Sequence, residues 1–208
     1  MEFLVNMTTQ VPDGTSEAAV QDIRAREAAH SRELAAQGHL LRLWRPPLQP
    51  SEWRTFGLFA ADDGVQLEKI LASMPLRVWR TDEVTPLLPH PNDPGRQTSS
   101  PRSTPQDGQS SEFFVNFTLA IPTHTPADTI AIAIAGEAER TAELALQGHL
   151  LRLWVLPGEG RALGLWKAHD TAEMQTILES LPLSAWLTMP TTPLSPHPSD
   201  PALTNTTR

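Results

Sequence analysis

The segment QGHLLRLW at Gln37–Trp44 returns letter for letter at Gln147–Trp154. The same offset of 110 carries EFLVNMT at 2–8 onto EFFVNFT at 112–118. Further along, the offset shortens to 107: SMPLRVW at 73–79 matches SLPLSAW at 180–186, and PHPNDP at 89–94 matches PHPSDP at 196–201. In this alignment 21 of 44 positions agree between 2–45 and 112–155, and 21 of 43 between 52–94 and 159–201. Two copies of one small domain account for that agreement. The expected organisation is a first repeat at 1–94, a polar, flexible linker at 95–111, a second repeat at 112–201 and a tail at 202–208.

Within a repeat, period-2 alternation over 2–10 predicts a strand with Phe3, Val5 and Met7 on one face. Residues 16–37 read as a helix stopped by Gly38, with Gly148 in the same role in the second copy. There Thr125 is the expected N-cap, followed by Pro126 in the first turn. HLLRLW and the stretches 54–60 and 161–167 read as the second and third strands. Asp63 with Gln66, and Asp170 with Glu173, form capping boxes that open a short second helix. A fourth strand is expected at 76–85 and 183–192. The order βαββαβ is that of a ferredoxin-like unit, helices on one face of an antiparallel sheet. The expected fold class is therefore α+β, with two ferredoxin-like repeats packed as a barrel-like pseudo-dimer, a covalent version of a symmetric dimer.

Composition excludes several chemistries. The 208 residues contain no Cys, so there is no disulfide, thiol nucleophile or Cys-ligated metal, and no Tyr that could act as acid or base. With 24 Asp and Glu against 16 Lys and Arg, the net charge is −8 and no basic block serves nucleic acid. No stretch approaches the roughly 20 apolar residues of a membrane span. MEFLVNMTT lacks the basic start of a signal peptide, so the expected location is the cytoplasm. His39, His149, His90 and His197 recur without metal-ligand spacing, and no metal site is expected. PHPNDP and PHPSDP read as rigid turns with a packing role.

The chemical clue is a carboxylate on the wrong side of a helix. Glu27 falls on the apolar stripe Val20, Ile23, Ser31, Leu34. Glu137 falls on the stripe Ile130, Ile134, Thr141, Leu144, beside Gly136, which could leave room for a ligand. One reading is a Glu paired with an Arg or snorkelling at the domain edge. The other is a partly buried acid with a raised pKa that exchanges protons near neutrality. Arg42 and Arg152 share a strand face with Trp44 and Trp154, and Arg54 and Arg161 open the third strands. Such arginines suit an anionic substrate at a pocket mouth, or else a salt bridge. The tryptophans read first as core packing. Asn6 and Asn116 are pocket donors or satisfied edge residues.

Together these residues resemble muconolactone Δ-isomerases: EFLVNMT, the Glu27 helix, QGHLLRLWR, SMPLRVW and TPLLPHPNDP, then EFFVNFT, Glu137, QGHLLRLW, PGEGRALGLW, SLPLSAW and TPLSPHPSDP. The resemblance implies a ferredoxin-like dimer assembled into larger homo-oligomers, and cofactor-free isomerisation of a small anionic lactone in aromatic catabolism. It implies that Glu27 and Glu137 match the family's acid/base position and that Gly158 matches a loop glycine near the site. Where the family carries a Tyr and an Asn before the third strand, this chain has Trp53 and Thr55 in one copy, Gly160 and Ala162 in the other. That difference keeps two alternatives open: another cofactor-independent enzyme on the same scaffold, a monooxygenase or dehalogenase, or a non-catalytic small-molecule binding module.

Overall fold

The computed structural model describes residues 1–96 and 110–204. Residues 97–109 of the expected linker and 205–208 of the tail lie outside the described residues. The first repeat contributes β1 (Glu2–Thr9), α1 (Glu17–Ala36), β2 (Leu40–Arg45), β3 (Arg54–Ala60), α2 (Gly64–Ser73) and β4 (Arg80–Pro89). The second contributes β5 (Ser111–Leu119), α3 (Ala127–Leu146), β6 (Leu150–Val155), β7 (Arg161–Ala168), α4 (Thr171–Glu179), β8 (Leu187–Thr188) and β9 (Thr191–Pro196), and the four-residue α5 (Pro201–Thr204) follows. Both repeats have the α+β class and the βαββαβ order read from the sequence.

The chain divides into two compact units that cut across the repeats. Unit 1 is Met1–Leu87 together with Ser195–Arg208, and unit 2 is Leu88–Leu194. Each unit is thus completed by the residues that end the other repeat. In unit 1, β1 lies between β3 and β4, with Val5 opposite Gly57 and Val84. β2 pairs with β3, and Ser195 and Pro196 extend the sheet from Arg45 and Trp44. In unit 2, β7 lies between β5 and β6, β5 pairs with β8 and with Thr191–Leu194, and Leu88 and Pro89 pair with Val155 and Trp154. All these pairings are antiparallel.

The helices cover one sheet face in each unit, as a two-layer α+β domain must to bury its apolar surface. In unit 1 Phe3, Val5 and Met7 meet Leu34 of α1 and Leu67, Ile70 and Leu71 of α2. In unit 2 Phe113, Val115 and Phe117 meet Leu144 of α3 and Met174, Ile177 and Leu178 of α4. Gly57 and Gly164 lie under the Phe59 ring and the Trp166 indole, where a Cβ has no space. Gly38 and Gly148 end their helices at φ of 77° and 82°, a left-handed conformation that glycine adopts without strain.

Three local expectations need correction. The fourth strands start later, because Pro75–Trp79 and Ser184–Trp186 wind into 3₁₀ turns first. In the second repeat that strand is broken into β8 and β9. Thr125 does not cap α3: its hydroxyl donates to the Pro122 carbonyl at 2.8 Å, and Pro126 occupies the cap position with no side-chain hydrogen bond. Ile134 is exposed rather than part of the buried stripe of α3, which passes through Thr141 and Leu144. Both helix starts are capped, with Asp63 and Asp170 accepting from the N–H groups of Gln66 and Glu173, whose side chains in turn accept from the N–H groups of Asp62 and His169, one residue before each cap.

Candidate active site

Glu27 sits where its helix stripe sends it, between buried Ile23 and Ser31, facing the 3₁₀ turn at Pro75–Trp79. A helical turn leaves its first N–H groups without internal partners. Pro75 has none to give, and the N–H of Leu76 donates to Glu27 Oε2 at 2.9 Å. On the other side Arg80 Nη1 donates to Oε1 at 3.2 Å. The second repeat repeats only the first half of this arrangement: the Leu183 N–H donates to Glu137 Oε2 at 3.0 Å. The shared Pro-Leu step in SMPL and SLPL is thus the feature that supplies each carboxylate with a backbone donor.

Arg80 belongs to a chain of alternating charges. Its Nε and Nη2 donate to Asp82 at 2.6 and 3.0 Å, and Arg77 Nη1 reaches the same carboxylate at 2.6 Å. The side chains of Arg80 and Asp82 are both 2% exposed. Asp82, shared with Arg77, offsets part of the Arg80 charge that acts on Glu27, and burial of the carboxyl outweighs what remains. Burial raises the Glu27 pKa above the usual carboxylate value, opposed by the Leu76 N–H, Arg80 and His30. Burial raises that of Glu137 as well, opposed by the Leu183 N–H alone.

A cavity of about 200 Å³ lies within unit 1, and Glu27 is on its wall. Arg24, Arg45, Trp53, Arg80 and His197 line it with Thr9, Ser31, Thr55 and apolar side chains. The Arg24 guanidinium lies 4.9 Å from the centre of the Trp53 ring. His197 Nδ1 accepts from the Ser199 N–H at 3.1 Å, which leaves the ring proton on Nε2. Burial, then the charges of Arg45 and Arg24, push the His197 pKa down to about 4, so the ring is neutral at ordinary pH.

Of the residues read as candidates from the sequence, only Glu27 lines this cavity. Arg42 and Arg152 follow the salt-bridge reading. Arg42 pairs with Asp200 at 3.1 Å and Arg152 with Asp93 at 3.3 Å, and each stacks on its tryptophan, at 4.7 Å for Trp44 and 4.8 Å for Trp154. Trp44 and Trp154 are buried core residues. Asp200 and Asp93 also accept from the N–H groups of Leu43 and Leu153, at 3.1 and 2.9 Å. The packing role expected of PHPNDP and PHPSDP is carried by these aspartates. Arg54 pairs with Glu52 at 3.2 Å. Arg161 donates to the Pro157 carbonyl at 3.2 Å across the turn that holds Gly158 at φ 99°. Asn6 Nδ2 donates to Glu83 at 2.8 Å, and Asn116 is exposed. Gly136 faces Pro182 rather than open space.

Sequence reading missed Arg24, Arg45, Arg80, Asp82 and His197 as site residues. For the first four the signal was present in the differences between the repeats. At the aligned positions the second copy has Ile134, Val155, Leu187 and Met189 in place of Arg24, Arg45, Arg80 and Asp82. Among the described residues no group of three or more His, Asp or Glu is placed to hold a metal ion.

The family described as muconolactone delta-isomerase matches residues 1–93 and again 111–200. The chain belongs to the muconolactone delta-isomerase family. Muconolactone Delta-isomerase 1 of Acinetobacter lwoffii is 33% identical over 92 residues, covering 44% of this chain and 93% of the relative. The muconolactone Delta-isomerase of Cupriavidus pinatubonensis is 30% identical over 92 residues, covering 44% of this chain and 97% of the relative. In this family the present chain is a tandem form, and it is an isomerase. Among solved structures, a heme-binding protein from Thermus thermophilus superposes with a TM-score of 0.59 at 14% identity, covering 99% of this chain and 95% of that one. A chlorite dismutase variant from Candidatus Nitrospira defluvii gives 0.57 at 10% identity, covering 98% and 94%. These likenesses concern the fold alone. No helix among the described residues is long and apolar enough to cross a membrane.

The raised pKa of Glu137 has a measurable consequence. Folding favours its protonated form, so its contribution is fully present below pH 4.5 and is lost as pH rises through the folded-state value. Glu137→Gln, whose amide oxygen still accepts from Leu183, is expected to raise the melting temperature at pH 7 and leave it unchanged at pH 4. Thermal melts at the two pH values check this; an equal shift at both would assign the effect to something other than ionisation.

Proposed function

We propose that the chain shifts a carbon–carbon double bond in a small anionic lactone of the muconolactone type, without a cofactor, with Glu27 moving the proton. The observation that carries this reading is a carboxylate of raised pKa on a cavity wall, oriented by a backbone N–H on one oxygen and a guanidinium on the other. The ionised Glu27 takes a proton from the carbon that the conjugated carbonyl acidifies. The electron pair of that C–H bond spreads into a dienolate. The protonated Glu27 then returns the same proton to the carbon two positions away. No atom is gained or lost, and no electron acceptor is required. The positive charge of Arg80, beside Glu27 on the cavity wall, favours the dienolate as its charge develops. Glu137 is the equivalent acid in unit 2, where the neighbouring cationic positions are apolar, so unit 1 carries the larger share of turnover.

The direct test follows the ultraviolet spectrum of muconolactone with the purified chain. Isomerisation to the enol-lactone is expected, and its absence at micromolar enzyme would overturn the reading. Asp82 supplies a finer prediction. In Asp82→Asn the charge of Arg80 is no longer offset and the repulsion from Asp82 is gone, so the Glu27 carboxylate is stabilised and its pKa falls. The acid limb of the kcat/KM pH profile should move to lower pH, with a weaker base and a lower plateau. An unmoved acid limb would mean that Asp82 does not tune Glu27.

A further inference from the structure

Two cations at the unit 1 cavity lack an anionic partner among the described residues. Arg80 is committed to Asp82 and Glu27, whereas Arg24 and Arg45 make no ion pair with a described residue. Arg24 is not loose: its planar face rests on Trp53, and the backbone of Trp53 is pinned by the Thr9 N–H donating to its carbonyl at 2.8 Å. Stacking uses the face of a guanidinium and leaves its N–H edge for hydrogen bonding. Arg45 ends β2 and lines the same cavity. The neutral ring of His197 lies close enough to both for their charges to act on it. All three elements of this group change together in the second repeat, where Ile134, Val155 and Gly160 occupy the positions of Arg24, Arg45 and Trp53. The proton-transfer carboxylate and its Pro-Leu donor are kept in both copies, so the cationic group is a separable feature.

We infer that Arg24 and Arg45 form the carboxylate-binding pair of the unit 1 site, fixing the anionic arm of the ligand while Glu27 faces the carbon skeleton, and that unit 2 takes no carboxylate at the equivalent positions. The inference deepens the isomerase reading, since it assigns the residues that recognise the anion. It also requires no turnover, because a carboxylate that cannot isomerise should bind. A bidentate guanidinium–carboxylate contact is stronger than a neutral hydrogen bond and discriminates against an amide of the same shape.

The experiment uses the full chain, glutarate as the anionic probe and glutaramide as its neutral counterpart, with binding read by calorimetry. The unaltered protein should bind glutarate and prefer it over glutaramide. The variant R24I/R45V, carrying the residues that the second repeat has there, should bind glutarate about 10- to 100-fold more weakly, the loss of charge-assisted hydrogen bonds. R24K/R45K, which keeps the charges but not the planar fork, should fall between the two. With muconolactone, R24I/R45V should raise KM far more than it lowers kcat. Equal binding of glutarate by the unaltered protein and R24I/R45V, or no preference for glutarate over glutaramide, would overturn the inference. The two readings fail separately. Loss of glutarate binding in R24I/R45V without any muconolactone turnover would remove the isomerase assignment and keep the anion pair. Turnover with an unchanged KM in R24I/R45V would do the reverse.

Discussion

Glu27→Gln is expected to reduce muconolactone isomerisation by about 10²- to 10⁴-fold, the usual contribution of a positioned general base. The substitution removes the proton-accepting oxygen and also mismatches the site. Glu27 accepts on both oxygens, from the Leu76 N–H and from Arg80. An amide offers one acceptor, so one of these donors must face the glutamine NH₂. The effect should appear in kcat, because the groups assigned to the anion are untouched. Glu137→Gln should lower activity by a smaller factor, and the double variant should be inactive. Steady-state kinetics on the three proteins, with melting curves to confirm folding, decide the matter. Retention of most activity by the double variant would end the assignment of these carboxylates as the acid/base groups.

Asp200→Ala should be the costliest substitution for stability outside the core. Asp200 is fully buried and joins Arg42 to the backbone of Leu43, while the Arg42 guanidinium rests on Trp44. Removing it takes a buried carboxylate from a half-buried cation and leaves the Leu43 amide without its acceptor, a loss of about 3 kcal/mol. Asp93→Ala should cost a similar amount in unit 2, where Asp93 holds Arg152 and Leu153 in the same manner. Asp200→Asn keeps an acceptor for Leu43 and should fall in between. Urea denaturation measures all three. A loss below about 1 kcal/mol for Asp200→Ala would show that the clasp contributes little. That variant should also weaken the unit 1 site, because Asp200 anchors the turn carrying His197 and Ser199.

The repeat made the fold legible, and the same repeat concealed the site. Apart from the Glu27/Glu137 carboxylate, positions identical in both copies are mostly those that any copy needs in order to fold: the helix-ending glycines, the QGHLLRLW strand with its arginine, and the Asp of PHPNDP and PHPSDP. Attention to identities therefore led to Arg42 and Arg152, which turned out to be clasps. The side chains that distinguish unit 1 chemically lie where the copies disagree, at Arg24 against Ile134, Arg45 against Val155 and Arg80 against Leu187. Glu27 was readable because its conflict with an apolar stripe is a local property of one helix. Arg80 was not, because its meeting with Glu27 depends on a 3₁₀ turn that the sequence pattern had assigned to a strand. His197 joins the cavity from more than 140 residues beyond Trp53, a distance that only the folded chain closes.

The composition of unit 1 bears on how the protein is made. Its residues 1–87 are made well before the segment from Ser195 that completes its sheet and supplies His197 and Asp200. Pairings so distant in sequence are slow to form, since the intervening chain must be closed first. On the ribosome unit 1 therefore waits, with Trp44 lacking the strand beside it, until the segment around Ser195–Pro196 emerges. A chain cut after Leu194 would lose His197, Pro198 and Ser199 from the wall of a cavity whose other residues were translated first. Truncation after Leu194 is thus expected to inactivate the unit 1 site, an inversion of the usual rule that a later cut spares an earlier domain.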